Sequence, residues 1–420
     1  MSDKQNPVEE HKFWPTQPVA HDSKSGPRQI LDIKKEEVAK KAIPTPVYLK
    51  FDTIDYNVQE KLQELTEYLA NNYVGDSKGK SRFGYSYEFM HWWLSSQSNN
   101  ISVGLRVTHT SPDLSEEQKL LIADLKEGEL VGYISGVPMT YQYNSLKSVG
   151  QSVDFLCVHH ALRTQNIAPL LIQEITRRSY KQGIFTAVFT AAFTAKQENP
   201  TIPRMLVSQY YHRLLNPVKL AQCKFAQKPH QMSERDFEFH YKLPYVQTTK
   251  QKNFRLSTKA DSEQILSLLT SYQEQNYKVQ QHFDIKLFQK MFRNIENVIQ
   301  CFVYEFQGKI IGFCSFYVVD TQMLDPEINK YHKFIRNGYF YHYAVAQGQT
   351  EIDLQQMMTM LMHEMKKAKV DVCTCLDICK NRELIEKLQM DGGDGRLSYH
   401  TFNLDWGTEL KHEDLGIVLV

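Results

Sequence analysis

Apolar and polar residues recur along this chain with two different periods. A spacing of three to four residues predicts helices, and short runs of β-branched and aromatic residues predict strands. The helical stretches are residues 58–71, 168–182, 261–273, 285–293 and the amphipathic 354–369. The strand stretches are residues 101–108, 130–137, 185–193 and 237–243, and a hairpin made of 298–305 and 309–319. The chain therefore mixes helices and strands over most of its length.

Residues 129–138 and 309–319 have the same apolar pattern. Each run carries a Gly, at Gly132 and Gly312, and a Ser three residues further on. The match predicts two related halves, although one sequence leaves both a true duplication and two ordinary hairpins open. The polar, proline-containing segment before them predicts an arm that is ordered only where it packs, with Phe13 and Trp14 as its anchors.

Composition limits the class of protein. With 420 residues, of which 42% are hydrophobic, the chain can fill a large core. Its 49 basic and 48 acidic side chains leave a net charge of +1, so nucleic acid is not expected as a partner. We find neither the apolar core of a signal peptide nor an apolar run of about 18 residues. These features predict a cytoplasmic protein with no integral membrane segment.

The cysteines predict reduced thiols. They number seven, an odd count scattered over a long chain, which does not fit a disulfide framework. Cys373, Cys375 and Cys379 have the spacing of soft metal ligands, but no second pair or His follows at zinc-finger spacing. We expect buried core thiols and no metal.

Residues 153–172 predict a strand, a short loop and the start of a helix. Backbone N–H groups at the start of a helix can bind an anion such as the pyrophosphate of coenzyme A. The end of the strand can offer N–H groups to a thioester oxygen. Many α/β proteins contain such a unit and bind nothing with it, so this pattern alone leaves both interpretations open.

Further motifs occur in a set order. They include His11-Lys12-Phe13-Trp14, Thr16-Gln17-Pro18-Val19, Asn72-Tyr73-Val74, Phe155-Leu156-Cys157-Val158-His159, Gly393-Asp394-Gly395 and the ending Leu415-Gly416-Ile417-Val418-Leu419-Val420. With these motifs the chain resembles the eukaryotic N-myristoyltransferase family, and the resemblance runs from about His11 to Val420. It implies an α+β fold of two acetyltransferase-like halves, related by a pseudo-twofold axis, with a large mixed sheet flanked by helices.

The resemblance also implies an activity and a division of the chain. Myristate would pass from myristoyl-CoA, the co-substrate, to the N-terminal glycine amine of peptides or nascent chains, without a metal. We expect an arm over residues 1–45, an acyl-CoA-binding half over 46–245 and a peptide-binding half over 246–420, in a monomer. The alternatives are a weakly active or inactive relative that binds acyl-CoA or acylated peptide, and a transferase with a different acyl length or a lysine acceptor.

The family's site residues carry over by motif. Backbone amides of Phe155 and Leu156 would stabilise the oxyanion, Thr190 would hold the glycine amine, and the α-carboxylate of Val420 would act as base. An apolar chain end fits a buried carboxylate, although it equally fits a strand that only completes a sheet. Coenzyme A would contact Lys12, Phe13, Trp14, Leu156, Cys157, Val158, Thr164, Asn166, Ile167 and Ala168. The peptide would contact Tyr73, Asp76, Phe83, Tyr210, His212, Asp394 and Leu419.

The chain departs from the family in its charges. The loop of residues 163–169 lacks two of the family's positive charges, which predicts weaker binding of coenzyme A or compensation by His159, His160 or Lys12. Of the family's acidic loop after Tyr73-Val74 only Asp76 remains, so the preference for a basic peptide residue is in doubt. Asp154 stands in place of an asparagine, either as a second base or as a charge that repels the oxyanion.

Overall fold

We analysed a computed structural model of the chain, which describes residues 13–19, 27–76, 79–143, 146–193, 204–407 and 410–420. The strands are β1 (Arg28–Gln29), β2 (Leu49–Thr53), β3 (Ser81–Gly84), β4 (Ile101–Val107), β5 (Leu130–Tyr143), β6 (Leu146–Val158), β7 (Ala187–Ala192), β8 (Leu206–Leu214), β9 (Phe254–Leu256), β10 (Val279–His282), β11 (Ile299–Phe306), β12 (Lys309–Met323), β13 (Phe334–Val345), β14 (Val372–Leu376), β15 (Asp391–Phe402), β16 (Leu404–Asp405) and β17 (Leu415–Gly416).

The helices are α1 (Gln59–Asn72), α2 (Tyr87–Leu94), α3 (Glu116–Leu121), α4 (Ile167–Lys181), α5 (Pro217–Gln222), α6 (Glu234–His240), α7 (Thr248–Lys252), α8 (Ser262–Asn276), α9 (Ile285–Met291), α10 (Pro326–Asn329), α11 (Leu354–Lys367) and α12 (Asn381–Ile385). Within the described residues, no helix is both long enough and apolar enough to cross a bilayer.

Fifteen of the described strands form one mixed sheet, and its two parts repeat one plan. In one part β4, β5 and β6 are antiparallel and β7 runs parallel to β6, after a crossover through α4. In the other part β11, β12 and β13 are antiparallel and β14 runs parallel to β13, after a crossover through α11. The repeated Gly and Ser positions lie in β5 and β12, at equivalent places in this plan.

The two parts exchange strands. From the first part of the chain, β8 pairs with β14, and from the second part, β15 pairs with β7. The short strands are exchanged as well, because β3 pairs with β12 and β10 pairs with β5. The predicted fold of two related halves with a large mixed sheet is confirmed. The boundary at residue 245 stays a prediction, and the sheet continues across it.

Most predicted elements are confirmed, but the strand predicted over residues 237–243 is wrong. Residues 237–240 belong to α6, which begins where the Ser233 side chain accepts a hydrogen bond from the Asp236 backbone N–H at 3.1 Å, and residues 241–243 follow the end of this helix. Phe237 is buried, whereas Phe239 is 74% exposed, so the alternation of aromatic residues does not mark one buried face. A serine cap that starts a helix outweighed a short alternating pattern.

The last residues of the chain lie inside the fold. Leu415 and Gly416 form β17, which runs parallel to Val279 and Gln280 of β10. Leu415 and Ile417 are buried. A Cβ atom added to Gly416 would lie 2.3 Å from Cδ2 of the Tyr277 ring, so only a glycine allows the strand to pack this closely.

We predict that Gly416→Ala lowers the free energy of unfolding by about 1–3 kcal/mol, because the added methyl group must displace either β17 or the half-buried Tyr277 ring. Gly392→Ala is the matched control, since its new Cβ would meet the flexible end of Gln209 at 3.3 Å. Urea denaturation of both variants measures the difference. Equal stability of the two variants would contradict the packing described for β17.

Candidate active site

A cavity of about 1770 Å³ lies where the two halves meet. One wall is α4, which contributes Ala168, Ile172, Ile175, Thr176 and Ser179. These residues recur every three to four positions and so share one face of the helix, over a length of roughly 16 Å. The lining also includes residues of β6, β7 and β12 together with the end of the chain. The cavity is therefore long, and its α4 wall is mainly apolar.

A β-bulge in β6 opens onto this cavity. Tyr133 of β5 pairs with Cys157 and Ser135 pairs with Asp154, so two residues of β6, Phe155 and Leu156, face one residue of β5. Phe155 has a φ of 58°, in the left-handed region that a phenylalanine rarely adopts. The bulge interrupts the regular ladder, so backbone amides here can serve a ligand. Backbone strain of this kind is found mainly where function requires it.

Tyr73 packs beside the bulge and lines the cavity. Its ring contacts the Phe155 ring at a centroid distance of 6.0 Å. Burial raises the pKa of the Tyr73 hydroxyl, and the nearby Asp154 raises it further. The bulge therefore borders a part of the cavity lining that carries both a tyrosine and an aspartate.

Asp154 lies beside the bulge and lines the same cavity. Its Oδ2 accepts hydrogen bonds from the Ser152 hydroxyl at 3.0 Å and from the Trp93 indole N–H at 3.2 Å. Burial nevertheless raises the pKa of Asp154 from 3.8 to about 7, because these two neutral donors do not replace its lost hydration. A carboxyl group that titrates near neutrality therefore lies one residue from the bulge.

The chain end meets the bulge in this cavity. Val418, Leu419 and Val420 all line it, as does Thr190 of β7. The preceding residues are tied to the core, since the Cys379 backbone N–H donates to the Leu415 carbonyl at 3.1 Å. The chain end, Thr190 and the bulge at Phe155 therefore line one cavity.

The start of α4 is suited to an anion. Asn166 precedes the helix in a left-handed conformation, with a φ of 52°, and its side chain makes no capping hydrogen bond. Asn166, Ile167 and Ala168 line the cavity. Arg163 lines it as well, held by a hydrogen bond from its guanidinium to the Asn72 carbonyl at 2.7 Å. Uncapped N–H groups beside a cation can bind a phosphate group.

The arm closes one side of the cavity. Trp14 stacks on Phe189 of β7, with ring centroids 5.8 Å apart, and Phe13 packs edge-on against Trp14. Both aromatic residues of the arm line the cavity. Their roles as anchors of the arm agree with these contacts, whereas Lys12 lies outside the described residues.

A second bulge shapes the other half of the site. Gly392 of β15 pairs with Tyr211 and Arg396 pairs with Gln209, so Gly393, Asp394 and Gly395 stand opposite Tyr210 alone. Tyr210 lines the cavity. His212 stacks behind it at 6.4 Å and shares a hydrogen bond with the Thr374 hydroxyl through Nδ1 at 3.0 Å. Burial lowers the pKa of His212 to about 4, so this imidazole is neutral near pH 7.

The cavity brings together most of the predicted site residues that the structure describes. Those that line it are Phe13, Trp14, Tyr73, Phe83, Phe155, Leu156, Val158, Asn166, Ile167, Ala168, Thr190, Tyr210, Leu419 and Val420. Those outside its lining are Asp76, Cys157, Thr164, His212 and Asp394. The Cys157 side chain is buried beside the lining residues Leu156 and Val158, on the other face of β6.

Asp76 has a local role in its loop. Its Oδ1 accepts hydrogen bonds from the backbone N–H groups of Lys80 and Ser81, at 2.6 and 3.0 Å. Lys80 in turn forms an ion pair with Asp325 at 3.2 Å. One of the lysines that replace the family's acidic loop is thus neutralised, and Lys78 lies outside the described residues.

The predicted set of site residues leaves out several residues of the lining. They include Tyr85, Gln151, Tyr317, Tyr339, Phe340, Leu376, Asn381 and Arg396. Alternation along β12 places Tyr317 and Val319 on one face, a signal that identifies a buried face but not a cavity. Arg396 adds a second cation to the lining, a contribution from β15 rather than from His159 or His160.

The cysteines belong to the core. All seven are free thiols with buried side chains, as predicted. In the part of the chain that the structure describes, no group of three His, Cys, Asp or Glu side chains is arranged to hold a metal ion.

Two family models match the chain in succession. Residues 30–199 match "Myristoyl-CoA:protein N-myristoyltransferase, N-terminal domain", and residues 222–417 match the corresponding C-terminal domain. Among solved structures, a Saccharomyces cerevisiae N-myristoyltransferase with bound myristoyl-CoA superposes with a TM-score of 0.83 at 27% identity, covering 98% of this chain and 100% of the yeast chain.

Relatives that carry the name of this activity match the chain over nearly its whole length. The "Glycylpeptide N-tetradecanoyltransferase 2" of Bos taurus is 32% identical over 97% of this chain and 76% of its own length. The Drosophila melanogaster "Glycylpeptide N-tetradecanoyltransferase" is 30% identical over 97% of this chain and 80% of its own length. Two matching domains, near full-length relatives and a shared fold place this chain in the N-myristoyltransferase family.

Proposed function

We propose that this protein transfers myristate from myristoyl-CoA to the N-terminal glycine amine of peptides or nascent proteins. Family membership supports the reaction, and relatives named for it match nearly the whole chain. The single observation that carries the mechanism is the meeting of the Phe155 bulge and the chain end in one cavity. A mechanism that uses these two elements needs no covalent intermediate between the acyl group and the enzyme.

The steps follow from the lining residues. The thioester oxygen of the donor lies at the bulge, where it accepts hydrogen bonds from the Phe155 and Leu156 amides. The glycine amine, held near Thr190, attacks the thioester carbon and passes its proton to the Val420 carboxylate. Collapse of the tetrahedral intermediate breaks the C–S bond and releases coenzyme A as its thiolate. Backbone donors fixed in place stabilise the oxyanion without reorganising during the reaction.

Different walls of the cavity bind the two substrates. The apolar face of α4 holds the acyl chain, while the uncapped start of α4 and Arg163 bind the pyrophosphate. Tyr210 and the aromatic residues of β12 and β13 form the peptide side. Because both walls come from one chain, we propose that a monomer is sufficient. Acyl-CoA thioesters and new N-terminal glycines occur together in the cytoplasm, the compartment that we propose.

Asp154 favours a second candidate, a catalytically weak relative that binds acyl-CoA. Its carboxyl group lies one residue from the oxyanion donors, and both of its hydrogen-bond donors hold the same oxygen. Once ionised, this group would repel the developing oxyanion. We propose that Asp154 acts as a pH-dependent brake on transfer rather than as a second base.

Deleting Val420 tests the role of the chain end. The new terminal carboxylate would lie about 3.5 Å further back along the chain, too far for a positioned base. We expect kcat to fall roughly a hundred- to ten-thousand-fold, the usual contribution of general base catalysis. Binding of myristoyl-CoA should persist. Mass spectrometry of a glycine-ended peptide incubated with myristoyl-CoA measures transfer.

Val420→Ala is the matched control for this deletion, because it trims the side chain and keeps the carboxylate in place. It should retain most of the turnover. Equal losses in the deletion and in Val420→Ala would mean that the side chain, not the carboxylate, is what matters. Absence of any acylated product from wild type, across a broad peptide library, would favour the binding candidate.

Asp154→Asn tests the brake. The wild-type carboxyl group ionises at about pH 7 when folded and near 3.8 when unfolded. As pH rises between these two values, the free energy of unfolding of wild type should therefore fall by at most about 1.4 kcal/mol per pH unit, and above pH 7 it should level off. Asp154→Asn removes this slope. Urea denaturation at several pH values measures it.

Turnover of the same pair distinguishes the two roles of Asp154. As a brake, Asp154 makes wild-type kcat/KM fall as pH rises through about 7, and Asp154→Asn loses that decline. As a base, Asp154 would make the asparagine variant slower than wild type above pH 7. That second result would overturn the brake.

A further inference from the structure

The part of the cavity beside α4, which we propose holds the acyl chain, contains a polar side chain without a hydrogen-bond partner. Gln151 is 1% exposed and lines the cavity, yet its Oε1 and its Nε2 both lack a hydrogen-bond partner among the described residues. Its backbone N–H is satisfied by the Thr186 carbonyl at 2.9 Å. A buried amide with no partner costs free energy, so such a group in a cavity points to a ligand.

Gln151 lies far from the reactive centre. It precedes Phe155 by four residues in β6, which corresponds to roughly 13 Å along a strand. It pairs with Pro138 of β5 and with Ala187 of β7. Its Oε1 lies near the Ile175 side chain of α4, since both would be 3.2 Å from a Cβ added to Gly136. The amide therefore lies at the distal part of the apolar wall.

The neighbouring hydroxyl groups are already engaged. Ser179 donates to the Ile184 carbonyl at 2.7 Å, and Thr176 donates to the Ile172 carbonyl at 2.7 Å. The Thr186 hydroxyl is paired with the Tyr141 hydroxyl at 2.8 Å. Ile134, Val153 and Ile175 supply apolar lining. These bonds leave the Gln151 side-chain amide without a partner among the described residues.

We propose that the donor cavity, besides myristate, accepts a fatty acyl chain that carries a hydroxyl group on its distal half. The hydroxyl accepts a hydrogen bond from Gln151 Nε2 and donates one to Oε1, so one ligand group satisfies both atoms. A plain hydrocarbon chain leaves the amide unpaired and dehydrated. This inference rests on the proposed function only in that the cavity holds the acyl chain of the donor.

The test measures binding of acyl-CoA to the full chain by titration calorimetry, without a peptide. The probes are tetradecanoyl-CoA and a series of monohydroxytetradecanoyl-CoAs with the hydroxyl moved one carbon at a time along the distal half. Wild type should bind the best hydroxylated probe at least as tightly as tetradecanoyl-CoA. Gln151→Leu should shift this ratio about tenfold toward the plain chain, the cost of an unpaired buried group.

Gln273→Leu is the matched control. Gln273 is also a buried glutamine with an unpartnered Nε2, but it lies outside the cavity lining. Its substitution should leave the ratio of affinities unchanged. Thermal melting checks folding, and Gln151→Leu should not lower the midpoint because it removes unpaired polar atoms from apolar surroundings.

Three results would overturn the inference. The first is the same preference for the plain chain in wild type and in Gln151→Leu at every hydroxyl position. The second is tighter binding of a shorter, unsubstituted acyl-CoA than of any hydroxylated probe, which would mean that water solvates Gln151. The third is no binding of any acyl-CoA, which would overturn the proposed function as well, whereas the first two overturn the inference alone.

Discussion

The site depends on the pairing that holds the end of the chain inside the protein. Two residues of β17 run beside β10, and the close contact of Gly416 with Tyr277 leaves no room for a side chain there. Termini are normally exposed and poorly ordered. Here the backbone hydrogen bonds and buried apolar residues fix the chain end, and they direct Val418, Leu419 and Val420 at the cavity.

The strand exchange explains why such a site can form. β10, which positions the chain end, comes from the second part of the chain but pairs with β5 of the first part. β5 is also the partner of β6 across the bulge at Phe155. β6, which carries the Phe155 bulge, and β17, which precedes the chain end, are therefore paired with the adjacent strands β5 and β10 of one sheet. This sheet fixes the position of the bulge relative to β17.

The sequence predicted the fold well, because helical and strand periods in long segments such as α4, α11 and β12 are strong signals. It failed for α6, where a serine cap outweighed aromatic alternation. Motifs located Phe155, Thr190 and Val420, but not Gln151 or Arg396. Gln151 and Arg396 line a cavity that forms only when β6, β15 and α4 come together in the fold. The residues that surround each of them in the sequence therefore do not predict that they line it, or that the Gln151 amide lacks a hydrogen-bond partner.

We propose that the chain end lies within proton-transfer reach of the attacking amine. This proposal can be checked with a crystal structure that contains a non-hydrolysable myristoyl-CoA analogue and a glycine-ended peptide. We expect the Val420 carboxylate about 2.6–3.2 Å from the glycine nitrogen, or joined to it by one water, with the thioester oxygen at the Phe155 and Leu156 amides. A carboxylate directed into solvent, away from both substrates, would overturn the proposal.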